Sequence, residues 1–138
     1  MKIRNRIRFI PIVLVMGLLL SATVSAALPP SIDIQWVNTK KVVCEITITG
    51  NLGTVNASIL GNTGTTVQAT ATLYETINGT TSVIYTQSTP TNNSLPLARF
   101  AHEFDVQSGA TYYLEMSGVV SKNGVDETIS RSDTEIVP

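Results

Sequence analysis

The sequence contains little of what usually builds a catalytic or metal centre. It has one cysteine, one histidine and one tryptophan in 138 residues, and only 14% of its residues are charged. The single cysteine, Cys44, excludes a disulfide within the chain, and one histidine beside it does not make a zinc ligand set. Stability must come from packing and backbone hydrogen bonds, and we expect no metal and no cofactor.

The basic residues concentrate at the start of the chain, where four of the nine lie within the first eight positions. An apolar run over 9–20 follows, and then the small residues of 21–26. This order is typical of a secretory signal peptide. The sequence predicts a signal peptide over 1–26, a short linker over 27–31 and a secreted, extracellular domain over 32–138. The alternative is an uncleaved membrane anchor, because 9–28 is long enough to cross a bilayer.

Removal of 1–26 leaves five basic and ten acidic residues, a net charge of −5. That balance argues against electrostatic binding of nucleic acid. The remaining chain has the size of one domain, which excludes a multidomain enzyme and a multi-pass membrane protein. A membrane contact is expected only through the signal segment, and only if that segment is not cleaved.

Apolar residues in the rest of the chain recur at every second position, which is the period of a β-strand. Val42, Cys44, Ile46 and Ile48 show the pattern, and a first strand is predicted to include Trp36. No sustained helical period follows. Thr and Ser make up 28 of the 112 residues in 27–138, and hydroxyl side chains suit the solvent face of strands. We expect seven or eight short antiparallel strands in two sheets.

Asn78-Gly79 is the clearest turn signal, since both residues tolerate the positive φ of a two-residue hairpin. Counting outward places Leu73 and Ile84 on the inner face of the sheet. The expected pairs are Ile77 with Thr80, Thr76 with Thr81, Tyr74 with Val83, Leu73 with Ile84, and Thr72 with Tyr85.

Residues 106–116 resemble the loop and sixth strand of immunoglobulin-like and fibronectin type III-like sandwiches. In those domains a glycine lies three positions before a tyrosine, as Gly109 lies before Tyr112 here. The resemblance implies an immunoglobulin-like β-sandwich in which the third and sixth strands pair antiparallel and the Tyr112 hydroxyl bonds to nearby backbone. Trp36 and the strand count agree with it, whereas Cys44 lacks the partner cysteine that immunoglobulin domains carry on the Tyr112 strand.

The whole chain is also similar to a group of uncharacterised small secreted proteins of Gram-positive bacteria. The features shared are the signal peptide, Trp36, the turn at 61–65, Leu73-Tyr74, the run 109–113, and Asn123-Gly124 before Glu127. The group has no agreed activity. The resemblance therefore implies fold and export, and it transfers no catalytic residue.

His102 and Cys44 are candidates for a chemical role, but a structural role is the favoured interpretation of each. His102 lies between Phe100 and Phe104 on the inner face, which favours a partly buried strand histidine over a general base or a pH sensor. Cys44 alternates with inward apolar residues, which favours a buried thiol that packs as a small hydrophobe. An intermolecular disulfide is the alternative for Cys44.

Acidic residues cluster near the C-terminus at Asp126, Glu127, Asp133 and Glu135. Solvated charge that keeps an edge strand from pairing with other sheets is the favoured interpretation. With Asp33 these carboxylates could instead offer oxygen ligands to calcium, although their spacing matches no known loop.

Three tyrosines, Tyr74, Tyr85 and Tyr113, are predicted to form one outward patch suited to sugars or proteins. Ordinary cross-strand aromatic pairing is the alternative. The sequence predicts a secreted, non-enzymatic binding or surface-interaction module for an unknown extracellular protein or glycan, with no catalytic residue. A small exported enzyme or enzyme inhibitor, and a structural domain held at the membrane by an uncleaved anchor, are the other candidates.

Overall fold

The computed structural model describes residues 36–90 and 93–138, which form seven β-strands. The strands are β1 (Thr39–Thr49), β2 (Leu52–Gly61), β3 (Thr66–Ile77), β4 (Thr80–Ser88), β5 (Leu97–Asp105), β6 (Thr111–Lys122) and β7 (Val125–Ile136). Every pair is antiparallel, in a three-stranded sheet of order β1-β2-β5 and a four-stranded sheet of order β4-β3-β6-β7. The predicted all-β sandwich and the pairing of the third and sixth strands are confirmed. Within the two described ranges, no helix could cross a membrane.

The fourth strand distinguishes this order from that of a constant-type immunoglobulin domain, in which the fourth strand lies beside the fifth. Here β4 pairs with β3, at the edge of the four-stranded sheet. Variable-type domains place an added strand at the corresponding position, next to the third. The short turn at Asn78-Gly79 explains the arrangement, because a two-residue hairpin holds β4 against the strand that precedes it.

The N-terminal part of the described chain differs from the prediction. Trp36 lies outside any strand, and β1 begins three residues later at Thr39, so a first strand that includes Trp36 is wrong. The reason is that side chains of β7 engage this segment. The Val37 N–H donates to Glu127 Oε1 at 2.8 Å, and the Arg131 guanidinium lies over the Trp36 ring. The predicted signal peptide and linker lie outside the described residues.

Inward side chains from both sheets form one core. The strands β2, β3, β5 and β6 alternate, so that every second residue enters the space between the sheets while its neighbours face outward. The largest fully buried side chains are Tyr112, Phe100, Ile59, Leu73, Leu114 and Met116. Because both sheets contribute to the core, the inner face of each sheet is buried by the other sheet.

The β3–β4 hairpin follows the predicted register only up to Val83. Asn78 and Gly79 have φ values of 50° and 77°, and Tyr74 lies opposite Val83 as predicted. A bulge at Ile84 then shifts the pairing by one residue, because two residues of β4 oppose one of β3. The predicted pairs of Leu73 with Ile84 and Thr72 with Tyr85 are wrong: Leu73 lies opposite Tyr85, and Thr72 opposite Thr86.

The two ends of the sandwich are distinguished by the first and last described residues, Trp36 and Pro138, which lie at opposite ends. We call the end that holds Trp36, the 62–65 loop and the Asn123-Gly124 turn the proximal end. The opposite end holds the Asn78-Gly79 turn and Pro138, and we call it the distal end.

Carboxylates of β7 close the side of the sandwich where β1 and β7 are the edge strands. Asp133 Oδ2 accepts a 2.7 Å hydrogen bond from the Ile46 N–H, and Glu127 Oε2 accepts one of 2.5 Å from the Thr39 hydroxyl. Solvated edge charge is therefore wrong as a description of Glu127 and Asp133, which are half-buried and bonded to the other sheet. We call this contact the β1–β7 seam.

Candidate functional site

The outer face of the four-stranded sheet presents a pair of tyrosines to solvent. Tyr74 on β3 lies directly opposite Tyr113 on β6, with the ring centroids 5.9 Å apart and the planes tilted by 33°. Val83 on β4 lies beside Tyr74 in the same row and is 55% exposed. Tyr113 is 39% exposed and Tyr74 is half-buried. The three side chains make a contiguous apolar surface near the distal end, which we call the tyrosine pair and Val83.

Local sequence explains why these rings face outward. Tyr74 follows the buried Leu73, and Tyr113 lies between the buried Tyr112 and Leu114. A strand that commits one residue to the core turns its neighbours to the other face. The cross-strand position of Tyr74 and Tyr113 then follows from the β3–β6 register, which is continuous over eleven pairs.

Hydroxyl groups surround the tyrosine pair on the same face. Across β3 and β4 they meet in three rows, with oxygen–oxygen distances of 2.7, 2.8 and 3.2 Å for Thr70–Ser88, Thr76–Thr81 and Thr72–Thr86. Toward the proximal end the face has a shallow depression of about 490 Å³, whose outward lining residues include Gln68, Thr70, Ser117, Val119 and Thr128. Of the outward side chains of the four-stranded sheet, Glu115 and Asp126 are the charged ones. The face is therefore flat, polar and nearly uncharged.

Tyr85 does not belong to this surface, and its predicted outward position is wrong. The bulge at Ile84 turns Tyr85 to the inner side, where its ring stacks on His102 at a centroid distance of 4.3 Å. Burial raises the pKa of Tyr85 above its ordinary value, and its hydroxyl donates to Gln87 Oε1 at 2.7 Å. The predicted patch of three tyrosines is thus a pair, and the third ring bridges the edge strands β4 and β5.

His102 is half-buried on the inner face of β5, opposite Val55. Its imidazole stacks on Tyr85 at the side of the sandwich where β4 and β5 are the edges. The stack packs one face of the imidazole ring against another ring.

Tyr112 occupies the position that the sandwich resemblance gives to the corner tyrosine. Its side chain is fully buried, its hydroxyl accepts from the Gln107 N–H at 2.9 Å, and the same hydroxyl donates to Glu75 Oε1 at 2.8 Å. Burial raises the pKa of the phenol, and the neighbouring Glu75 adds to the rise. The hydroxyl ties the loop before β6 to β3, on the inner side of the sheet that displays the tyrosine pair.

Trp36 and Cys44 lie along the β1–β7 seam. The Arg131 guanidinium carbon is 4.7 Å from the centre of the Trp36 ring, a cation–π contact. Cys44 is half-buried rather than fully buried, because β1 is an edge strand. Burial, with a further contribution from the Asp133 charge, raises the pKa of its thiol to about 11.

No three His, Cys, Asp or Glu side chains among residues 36–90 and 93–138 converge as metal ligands. Of the five acids considered for calcium, Asp33 lies outside the described residues. Glu127 instead accepts hydrogen bonds from Val37 and Thr39, and Asp133 accepts one from Ile46. Asp126 accepts from the Ser121 hydroxyl at 2.6 Å.

Two features of the four-stranded sheet were not predicted from the sequence. The hydroxyl rows could have been read from Thr70, Thr72 and Thr76, which alternate with inward apolar residues along β3. The bond from Tyr112 to Glu75 leaves no local signal, since it joins residues 37 positions apart.

Comparison with known proteins places the chain in no family. No protein-family model matches it, and no curated protein matches it. Among solved structures, similarity is found to β-glucuronidase of Parabacteroides merdae, with a TM-score of 0.44 at 9% identity over 72% of this chain. A second structure of that enzyme, with glycerol in the active site, gives 0.43 at 9% identity over 68%. This chain covers 13% of the length of either structure.

Proposed function

We propose that the chain is a secreted, non-enzymatic binding module that contacts its partner with the outer face of the four-stranded sheet. The observation that carries the proposal is the outward tyrosine pair with Val83, set in a face of hydroxyl groups. Tyrosine combines a flat apolar ring with a polar tip, and it is among the residues that dominate binding energy at interfaces.

The chemistry of the face favours a neutral, hydroxyl-rich partner. Outward charges are few, which gives little attraction for a strongly ionic ligand. Threonine and serine hydroxyls both donate and accept, as sugar hydroxyls do. An extracellular glycan laid across the tyrosine rings is the partner that fits best, and a protein surface is the second candidate.

The non-enzymatic part of the proposal is supported by the position of His102. Its ring is engaged with Tyr85 at the edge of the sandwich, on the face of β5 that looks inward. A general base must reach the proton that it abstracts, and this stack covers one face of the imidazole. Export rests on the predicted signal peptide over 1–26.

The proposal is tested by removing both rings. Tyr74→Ala with Tyr113→Ala should weaken binding to an array of neutral glycans about thirtyfold, since a hot-spot pair contributes roughly 2 kcal/mol. Leu52→Ala with Leu97→Ala is the matched control, because it removes exposed apolar groups from the three-stranded sheet. Circular dichroism checks that both variants remain folded.

Retained binding in the tyrosine double variant refutes the tyrosine pair as the contact surface. Equal loss in both double variants does the same, since binding would then not depend on which sheet is altered. Binding of wild type to an extracellular protein but to no glycan, with the same dependence on Tyr74 and Tyr113, selects the protein partner.

A further inference from the structure

The charges of the domain are separated along its long axis. Of the five basic side chains in the described residues, Lys40, Lys41, Arg99 and Lys122 lie in the proximal half. Seven of the nine acidic side chains in the same residues lie in the distal half. The two proximal acids, Asp126 and Glu127, offset two of these four positive charges. The proximal end is therefore cationic although the domain as a whole is acidic.

Exposed apolar side chains accompany these cations. Val37 is 80% exposed, and Leu95 and Val125 are each 63% exposed, at three separate segments of the proximal end. Apolar side chains this exposed contribute little to the stability of the domain, because they bury little surface in its core. Apolar side chains among lysines and arginines are the composition by which proteins lie on the surface of an anionic bilayer.

Two depressions bring the cations and the apolar groups together. One is lined by Lys40, Leu60 and Pro96. The other is lined by Val37, Lys122 and Val125 together with the carboxylates Asp126 and Glu127. The two depressions adjoin because Asn62 of the first is hydrogen-bonded to Val37 and Asn38 of the second. The Asn62 side chain donates to the Val37 carbonyl, and the Asn62 N–H donates to the Asn38 carbonyl, both at 2.8 Å. The proximal end thus forms one continuous surface.

We infer that the proximal end is a docking surface for an anionic lipid bilayer. Lys40, Lys41 and Lys122 attract the phosphate headgroups, and Leu95 and Val125 enter the interface. This docking does not depend on the proposed function, since the tyrosine pair lies near the other end of the domain. A docked domain would hold the tyrosine pair away from the lipid.

Trp36 is a built-in probe of this docking, because it is the only tryptophan and lies at the proximal end. The full chain is mixed with vesicles of brominated phosphatidylcholine, alone or with phosphatidylglycerol. Quenching of Trp36 fluorescence should be stronger with phosphatidylglycerol and should fall to the phosphatidylcholine level in about 1 M salt, where the Debye length is about 3 Å. Equal quenching in the two vesicle types overturns the inference.

Charge variants test whether the lysines are responsible. In Lys40→Gln/Lys41→Gln/Lys122→Gln, each lost charge should lower the docked population about fivefold. The matched control is Asn51→Glu/Thr80→Glu/Gln107→Glu, which changes the net charge equally at exposed distal positions. The control should retain docking, and equal loss in both triple variants overturns the inference.

Leu95→Ser with Val125→Ser tests the apolar contribution without altering charge or the core. Both side chains are exposed, so the domain should fold as the wild type does. Quenching by phosphatidylglycerol vesicles should fall. If this variant keeps wild-type quenching, the apolar part of the docking surface is refuted.

Discussion

Cys44 shows how position in a sheet sets the chemistry of one side chain. It has inward parity on β1, opposite the buried Ala57, yet β1 is an edge strand and leaves the thiol half-buried. Burial and the nearby Asp133 charge both disfavour the thiolate, and together they raise the pKa to about 11 from an ordinary value of 9.0. The thiol of the folded protein therefore loses its proton at a higher pH than the thiol of the unfolded chain does.

This difference predicts slow alkylation of the folded protein. At pH 8 the thiolate fraction of Cys44 should be about a hundredfold smaller in the folded state than in the unfolded state, because the thiolate is the reactive form. Iodoacetamide labelling with and without denaturing urea, followed by mass spectrometry, measures the ratio. Comparable rates in the two conditions would contradict the pKa and the burial that causes it.

Tyr85 marks the limit of what could be predicted for single residues. Counting from Asn78-Gly79 placed residues correctly as far as Val83, because a two-residue turn sets the register. The bulge at Ile84 exchanges the inner and outer faces for the β4 residues that follow it. No Gly or Pro in the sequence indicates a bulge at this position. The pairing of Tyr74 with Tyr113 was predictable because the β3–β6 ladder is regular over all eleven of its pairs.

At the scale of the element, β6 is a central strand, with β3 on one side and β7 on the other. Gly118 lies inward on β6 opposite Ala69. A Cβ at this position would be 2.7 Å from the Cδ1 of Ile59 on the facing sheet and 2.8 Å from the Gln68 carbonyl oxygen. The glycine lets the two sheets approach at this point.

Gly118→Ala should therefore destabilise the domain by about 1–3 kcal/mol, the range for overpacking a well-filled core. Urea denaturation followed by fluorescence gives the change in the free energy of unfolding. Ser117→Ala is the control, since Ser117 faces solvent on the same strand and its loss should change stability by less than about 0.5 kcal/mol. A neutral or stabilising effect of Gly118→Ala would show that the sheets can separate without cost.

Strand existence was predictable from the sequence, whereas strand partners were less so. The alternation in β1, β3 and β6 is local and needs only the period of two. Which strands become edges depends on how the seven strands divide between two sheets, and that is settled by packing across the whole molecule. For this reason the roles of Glu127 and Asp133 could not be read from β7 alone.

At the scale of the whole molecule, the two open sides of the sandwich are closed by different chemistry. Tyr85 and His102 stack between β4 and β5, which is an aromatic contact. On the β1–β7 seam, Glu127 and Asp133 accept hydrogen bonds from β1, and Arg131 covers Trp36. Hydrogen bonds to a charged acceptor contribute more than neutral ones, so this seam should carry a measurable share of the stability.

Asp133→Ala should lower the free energy of unfolding by about 1.5–3 kcal/mol, because the Ile46 N–H loses its charged acceptor. Urea denaturation measures the loss.

Asp133→Asn separates the two roles of this carboxylate, since the amide oxygen can still accept the bond while the charge is gone. This variant should lose less stability than Asp133→Ala. It should also alkylate faster at Cys44 in the folded state, because the Asp133 charge contributes to the raised pKa of the thiol. If Asp133→Asn is as unstable as Asp133→Ala while Cys44 keeps its wild-type reactivity, the carboxylate does not act on the seam through the bond and the charge described here.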